Sequence, residues 1–302
     1  MPLPSFRTTD SAARLPLLAA VLALTACASP TPPAAPEPAT CPSAAEVRER
    51  ARLYVALEML PAAPAGLTRE GAACGAAKFI AALVPTHGDV VGYKAGLTNP
   101  AVQQRFGLTA PLRGTLLRKM LLEDGAEVPA RFGARPFMEP DLMVEVGSSA
   151  IHDAKTPEQV LAHLRAVVPF MELADALAVD PSKIDAPTLV LNNVGARLGV
   201  LGKRVPVRND TAFADALRDM TVRTSDGSGK ELAAAKGTAI LGHPLNAVIW
   251  LAAELKKDGI TLKPGDLLSL GAFGQGPVAA GQSLTVRYDG LPGNPQVSVR
   301  FK

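Results

Sequence analysis

Acidic side chains occur inside two strongly apolar stretches of this sequence. Residues 137–146 contain Glu139 and Asp141, and residues 167–173 contain Glu172. If the first stretch is a strand, Glu139 and Asp141 face the same way. Carboxylates are costly to bury unpaired, and a hard divalent cation such as Mg²⁺ removes that cost because it prefers oxygen ligands. The pattern leaves two interpretations open: one metal held by Glu139, Asp141 and Glu172, or a half-exposed strand with a solvated acidic face.

A lysine stands apart from other charges in the segment Gly92–Thr98, whose sequence is GYKAGLT. Lys94 is the only charged residue between Asp89 and Arg105. One interpretation is a surface lysine at the end of a strand. The other is a catalytic or substrate-binding ammonium group, whose pKa falls readily when it is buried. The local sequence leaves both interpretations open.

Local patterns predict the elements that must position these side chains. Ser43 and Glu46 have the spacing of a capping box at the start of a helix over residues 43–60. Thr68 is a candidate cap for a second helix, which Pro85 is expected to break. These two helices predict a small N-terminal subdomain.

The last third of the chain predicts antiparallel sheet and one amphipathic helix. Residues 245–257 have a helical apolar face, and residues 283–289 and 296–301 alternate as the two strands of a hairpin. No dinucleotide or phosphate-loop motif is present, and the four histidines lack zinc-ligand spacing. A net charge of +3 without a basic cluster interleaved with aromatics argues against a nucleic-acid partner.

The N-terminal 26 residues resemble a signal peptide. Two arginines precede an apolar run that is too short to be a permanent membrane span. The run ends in Leu-Thr-Ala-Cys at Cys27, which resembles the lipobox of bacterial lipoproteins and implies lipid attachment to that thiol. The alternative is a plain secretory signal with Cys27 incidental. Residues 27–42, rich in Pro and Ala, predict an extended tether, so we expect an exported cell-envelope lipoprotein on the periplasmic side of a membrane.

Two further cysteines, Cys41 and Cys74, remain after that assignment. An exported protein meets an oxidising compartment, where these two thiols can form a disulfide. The alternative is that they are unrelated small residues, with Cys74 packed inside a helix.

Five segments, in order along the chain, resemble motifs of the 2-keto-4-pentenoate hydratase family, in the fumarylacetoacetate hydrolase superfamily. They are Gly92–Thr98 (G-x-K-x-G-L-T), Met138–Leu142 (the E-P-E metal strand), Phe170–Leu173 (the third acidic ligand), Gly242–Ala252 (G-N-P-L-x-A-V-x-W-L-A) and Leu262–Gly271 (a turn and strand). The resemblance runs from about Ser43 to Phe301.

The resemblance implies an α+β fold, a mixed β-roll or sandwich with flanking helices. Its helical N-terminal part would occupy residues 43–86 and its catalytic part residues 87–302. It also implies a homo-oligomeric lyase that uses Mg²⁺ or Mn²⁺ and hydrates a short 2-oxo or 2-hydroxydienoic acid through a metal-chelated enolate. Lys94 matches the catalytic lysine, and Glu139, Asp141 and Glu172 match the metal ligands, so the resemblance favours the metal interpretation.

Three positions depart from the family pattern. Asp141 stands where the family usually has Glu, which shortens that side chain by one methylene. Leu112 replaces the aspartate that takes part in acid–base chemistry. In the segment corresponding to D-N-A-S-S-G, Asn193 matches but the serines are replaced.

Two arginines that accompany these departures suggest a substrate preference. If Arg113 and Arg197 line the pocket with Asn193, they could bind a second carboxylate bidentately, and the substrate would be a dicarboxylate. The alternative is that both arginines pair with acids elsewhere. The lost Asp and serines also leave open a related 2-oxo acid decarboxylase, or a lipid-anchored protein that binds 2-oxo acids with little or no turnover.

Overall fold

Two long antiparallel strands, β5 (Pro136–Val146) and β6 (Leu164–Asp175), form the centre of the molecule. In the computed structural model, which describes residues 1–2, 36–178 and 184–302, these strands belong to a nine-stranded mixed sheet. Its other strands are β1 (Val90–Gly96), β2 (Leu112–Leu117), β3 (Leu121–Glu123), β7 (Leu198–Leu201), β8 (Val205–Pro206), β11 (Leu267–Ser269) and β12 (Gly276–Pro277). The main path runs β2-β1-β11-β5-β6-β7-β3, with β1 and β11 parallel.

A second sheet of five strands has the order β10-β9-β13-β14-β4. Its strands are β4 (Ala126–Val128), β9 (Thr221–Asp226), β10 (Glu231–Lys236), β13 (Ser283–Asp289) and β14 (Gln296–Phe301). The predicted hairpin is β13–β14, whose register pairs Leu284 with Val299. The largest hydrophobic core contains side chains from both sheets.

Seven α-helices surround the sheets in the described part of the chain. They are α1 (Ala44–Val55), α2 (Arg69–His87), α3 (Pro100–Arg105), α4 (Pro157–Leu161), α5 (Ala186–Leu191), α6 (Thr211–Asp219) and α7 (Pro244–Lys257). The stretch 237–257 is long and apolar enough to cross a membrane by length and composition. Its part in α7 buries Leu245, Val248, Leu251 and Leu255 in the main core, so we interpret it as a core helix.

The two N-terminal helices begin at the predicted caps. Ser43 and Glu46 form the capping box of α1, and the Thr68 side chain accepts from Gly71 N at the start of α2. The break predicted at Pro85 is wrong, because α2 continues to His87. Its end is set instead by Gly88, which has a φ of +81° and whose amide bonds to the carbonyl of Val84.

A small core beneath α1 and α2 contains side chains from other parts of the chain. It combines Val47, Tyr54, Phe79 and Leu83 of the helices with Leu117, Met120 and Leu177. Residues Glu37–Lys302 form one compact unit. Cys41 and Cys74 form a disulfide that fastens the start of this unit to α2. Cys27, nearly all of the predicted signal peptide and most of the predicted tether lie outside the described residues.

Alternation along β5 separates the two faces as the sequence predicts. Met138, Leu142 and Val144 contribute to the main core. The opposite face carries Glu139 and Asp141, and further along it Met143 joins a smaller core with Val168, Phe170 and Leu267. The strand therefore presents its acidic residues on the side of the sheet away from the main core.

Candidate active site

The β5–β6 register places two acidic residues directly opposite each other. Glu139 pairs with Glu172, so both side chains project from the same face of the sheet. Lys94 of β1 reaches the same point, where its Nζ forms an ion pair with the Glu172 carboxylate. These three residues, the outer two of which are 78 positions apart in sequence, thus meet in the wall of one cavity.

Lys94 is almost completely buried, with 3% of its surface exposed. Its Nζ also donates to the carbonyl of Val194 at 3.1 Å. Burial acts to lower the pKa of Lys94, but the charges of Glu172, Glu139 and Asp141 outweigh it and raise the pKa. The lysine is therefore an ammonium ion at neutral pH. Gly114 makes room for it, because a Cβ there would lie 2.8 Å from Lys94 Cγ.

Asp141 points away from this meeting point into a cage of donors. Its carboxylate accepts from Ser269 Oγ at 2.6 Å and from Gly271 N at 3.0 Å, and it is fully buried. It is absent from the described residues that line the cavity. The structure therefore brings Glu139, Glu172 and Lys94 together and holds Asp141 just behind them.

If Glu139, Asp141 and Glu172 all ionised, they would carry more negative charge than Lys94 can neutralise. Burial and the neighbouring Glu172 raise the pKa of Glu139 to about 8. Burial and Glu172 also raise the pKa of Asp141 to about 7, although the Ser269 hydrogen bond opposes the shift. The side chain of Glu139 forms no hydrogen bond within the described part of the chain. The donor set therefore holds protons at neutral pH that a cation could displace.

The cavity beside these residues has a volume of ≈ 700 Å³. Most of its wall is apolar and includes Phe137, Leu189 and Phe273. Its basic residues within the described chain are Lys94 and Arg105. A mainly apolar cavity of this size with a few convergent polar groups is typical of a site for a small molecule.

Known proteins have sequences similar to about two thirds of this chain. The 2-keto-4-pentenoate hydratase of Burkholderia vietnamiensis is 31% identical over 211 residues, which cover 68% of this chain and 77% of that protein. The chain belongs to the 2-keto-4-pentenoate hydratase family. Hydratase 1 of Dechloromonas aromatica is 32% identical over 67% of this chain and 75% of its own length. No family model matches the chain.

A decarboxylase is also similar, so the family relationship identifies a lyase of the hydratase/decarboxylase type. The 4-oxalocrotonate decarboxylase of Pseudomonas putida is 30% identical over 70% of this chain and 77% of that protein. The solved structure of the Pseudomonas putida G7 enzyme, complexed with magnesium and adipate, has a TM-score of 0.75 at 24% identity and covers 86% of this chain and 97% of its own. That likeness confirms the predicted fumarylacetoacetate-hydrolase-like fold.

One departure from the hydratase family pattern, Leu112, and one matching position, Asn193, lie close to Lys94. Leu112 lies on β2, next to the strand that carries Lys94, where it pairs with Gly96 and is buried. Asn193 does not line the cavity. Its side-chain oxygen accepts from the backbone N–H of Thr115 at 2.7 Å, and its side-chain nitrogen donates to the Thr115 carbonyl at 2.9 Å. This fixes a turn with positive φ at Asn193 and Val194, and the turn aims the Val194 carbonyl at Lys94. Asn193 is thus a positioning residue in this structure.

The two arginines predicted to bind a second carboxylate are both placed outside the cavity wall. Arg113 pairs with Asp258 at the end of α7. Arg197 is buried, pairs with Asp175 at 2.9 Å and lies 3.6 Å above the centre of the Tyr54 ring. The structure differs from the prediction because Arg197 is held by Asp175 and Tyr54, and Arg113 is held by Asp258. The Nη1 of Arg113 is buried without a hydrogen-bond partner in the described part of the chain.

Replacing Arg197 is expected to destabilise the protein without changing its affinity for dicarboxylates. Arg197→Ala removes the charge that pairs with the buried Asp175 and leaves its carboxylate to the backbone amides of Ala134 and Arg135, which costs about 3–5 kcal/mol of unfolding free energy. Urea denaturation measures this loss, and adding Asp175→Asn should recover part of it. A variant of normal stability that bound succinate more weakly than the wild type would restore the original substrate-binding hypothesis.

Several contacts that support the site are not predictable from the local sequence segments in which the residues lie. Ser269 and Gly271 form the cage of Asp141 from about 130 positions away. Tyr288 reaches from the second sheet, and its hydroxyl contacts the carbonyls of Asp141 and Phe170. Thr98 lies in the GLT segment and lines the cavity, but the local sequence assigns it no function. Alternation alone places Tyr288 on the inner face of its strand; it does not reveal this contact.

Proposed function

We propose that this protein is a divalent-metal-dependent lyase that adds water to a short 2-hydroxydienoic or 2-oxo-enoic acid. The observation that carries the proposal is the meeting of Lys94, Glu139 and Glu172 in the wall of a mostly apolar cavity of ≈ 700 Å³. Lyases of this family act on such acids, as the names of the similar hydratases state.

The donor set fits a divalent cation. If all three ionise, the carboxylates of Glu139, Asp141 and Glu172 outnumber the single Lys94 ammonium, and the raised pKa values of Glu139 and Asp141 reflect this excess. Mg²⁺ or Mn²⁺ would be held by Glu139 and Glu172, with the Asp141 charge behind them. The Pseudomonas putida G7 decarboxylase holds magnesium, which supports this assignment.

The three carboxylates are not a tight, ready-made cluster. In the described residues, the one group of three acidic or thiol ligand atoms within 4.8 Å of one another is Glu37, Cys41 and Cys74, and its two sulfurs already form the disulfide. Asp141, shorter than the usual Glu, bonds to Ser269 and Gly271 instead. We therefore assign direct binding to Glu139 and Glu172 only.

A bound cation would act as a Lewis acid on the oxygens of the substrate. Lys94 holds a proton on Nζ next to Glu172, so it can donate that proton or stabilise negative charge that develops on a substrate oxygen. Apolar side chains, among them Phe137 and Phe273, form much of the cavity wall near these polar groups. Together these residues favour proton transfer at an acid bound by its polar end.

Decarboxylation is the second candidate, and Leu112 is the observation that favours it. This buried side chain stands where the resemblance places the acid–base aspartate. Addition of water needs a group that positions and deprotonates the water, whereas loss of carbon dioxide needs only stabilisation of the carbanion left behind. Product analysis separates the two reactions.

Metal titration followed by an assay of candidate acids tests the proposed function. Calorimetry should show binding of Mg²⁺ or Mn²⁺ whose affinity increases from about pH 6 to about pH 9, because the metal binds the ionised carboxylates and displaces their protons. Hydration should then appear with 2-hydroxypenta-2,4-dienoate. Carbon dioxide release from a 2-oxo dicarboxylate would identify a decarboxylase, and binding without turnover would identify a binding protein. Failure to bind either metal would exclude the proposal.

We also propose that the protein is exported and attached to a membrane by a lipid on Cys27. The disulfide between Cys41 and Cys74 supports an oxidising compartment, because such bonds are rare in reducing ones. A homo-oligomer, as the family resemblance implies, remains part of the proposal.

A further inference from the structure

One hydroxyl group in the cavity wall has no partner. Thr98 lines the cavity and is 2% exposed, yet no described residue lies within hydrogen-bond distance of its Oγ1. A buried hydroxyl without a partner reduces stability, because it has lost its bonds to water. Such a group is rare in folded proteins and calls for an explanation.

The surroundings of Thr98 hold its hydroxyl in place beside the acidic end of the cavity. Its carbonyl accepts from Leu241 N at 3.2 Å. Its Oγ1 packs against Gly271 without forming a hydrogen bond; a Cβ there would lie only 1.9 Å away, and φ is +117°. Only glycine fits this position. The Gly271 amide in turn donates to Asp141, so Thr98 and Asp141 lie on either side of the same glycine.

We propose that Thr98 binds the substrate by donating a hydrogen bond from Oγ1 to an oxygen of the 2-oxo carboxylate group. This inference rests on the proposed function, since it places the polar end of the acid beside Glu139 and Glu172. The ligand supplies the acceptor that the protein lacks, and a hydrogen bond to an ionised acceptor in a buried site is a strong one. The Oγ1 therefore has a use only when the acid is bound.

A purely structural role for Thr98 makes a different prediction about ligand affinity. If the hydroxyl only filled space, Thr98→Val would keep the shape and leave ligand affinity unchanged. If the hydroxyl binds substrate, Thr98→Val removes a polar group that has no partner in the free protein. In the complex, the same substitution removes the donor of the hydrogen bond to the substrate oxygen. The substitution then weakens binding while the unfolding temperature stays the same or rises.

Calorimetry of the whole protein with Mg²⁺ and pyruvate, the simplest 2-oxo acid, tests this inference. We expect Thr98→Val to raise the Kd for pyruvate by about tenfold or more, the loss expected for a hydrogen bond to an ionised acceptor. Thr98→Ser, which keeps the hydroxyl, should bind pyruvate nearly as well as the wild type. Thr224→Val is the matched control, because Thr224 is a buried threonine of β9 outside the cavity.

The outcomes separate this inference from the proposed function. Equal Kd values for the wild type and Thr98→Val would overturn the role of Thr98 and leave the proposed function intact. A wild type that binds Mg²⁺ but not pyruvate would overturn the substrate class itself. If Thr98→Val unfolds at a lower temperature than the wild type, the comparison of Thr98→Ala with Thr98→Ser decides the matter, since equal affinities in that pair also overturn the inference.

Discussion

Glu139→Gln is expected to abolish binding of Mg²⁺ at the proposed site. Glutamine keeps the size of the side chain but removes the charge that faces Glu172 across the β5–β6 pair. Loss of a group that only supports a ligand costs about 10–100-fold in metal affinity, so loss of the ligand itself should raise the Kd by at least about 100-fold. Titration calorimetry with Mg²⁺ measures this change.

Glu145→Gln is the matched control for that experiment. Glu145 lies six positions along the same strand, on the same side, but its carboxylate pairs with Arg165 and Arg204. Metal affinity should therefore be unchanged in Glu145→Gln. Equal losses in both variants would show that the change acts through the strand as a whole, and no loss in Glu139→Gln would remove Glu139 from the metal site.

Although Glu139→Gln weakens metal binding, it should make the metal-free protein more stable at high pH. The pKa of Glu139 is raised from its ordinary value to about 8, so ionisation disfavours the folded state progressively as pH rises through this range. Glu139→Gln removes that cost. Its unfolding temperature should exceed that of the wild type at about pH 9 and match it at about pH 5, which thermal denaturation without metal can measure.

The acidic strand was predictable because burial and alternation are local properties. A period of two placed Glu139 and Asp141 on one face, and the structure has them there. The same argument could not show that Asp141 turns toward Ser269 and Gly271, because those donors lie on a strand and loop about 130 positions away. Local patterns identify the face on which a side chain lies and leave its partner undetermined.

The two arginines show that the local sequence also leaves the partner of a charged side chain undetermined. Arg197 is the last residue of the segment that corresponds to the D-N-A-S-S-G motif, but its partners Asp175 and Tyr54 come from β6 and α1. Which acid an arginine meets depends on how helices and sheets pack. The helix break predicted at Pro85 was wrong for a related reason. Packing of α2 keeps the helix intact through its last turn, although the proline cannot donate a backbone hydrogen bond.

Lys94→Met is expected to remove turnover while preserving metal binding. Methionine fills the space next to Gly114 but cannot donate a proton or stabilise negative charge on the substrate. General acid catalysis contributes about 10²–10⁴-fold, so kcat should fall by that factor with the substrate identified by the assay. Lys119→Met, at an exposed lysine, should leave kcat unchanged.

Metal affinity distinguishes this effect from a collapse of the site. Lys94 is a cation bound to Glu172, so it competes with a divalent cation for that carboxylate. Without it, Mg²⁺ should bind at least as tightly as in the wild type, because more negative charge is left uncompensated. Lys94→Met and Glu139→Gln thus have opposite signatures: the first retains metal and loses turnover, and the second loses the metal itself. Weaker Mg²⁺ binding in Lys94→Met would mean that the lysine holds the carboxylates in position and has no separate role in proton transfer.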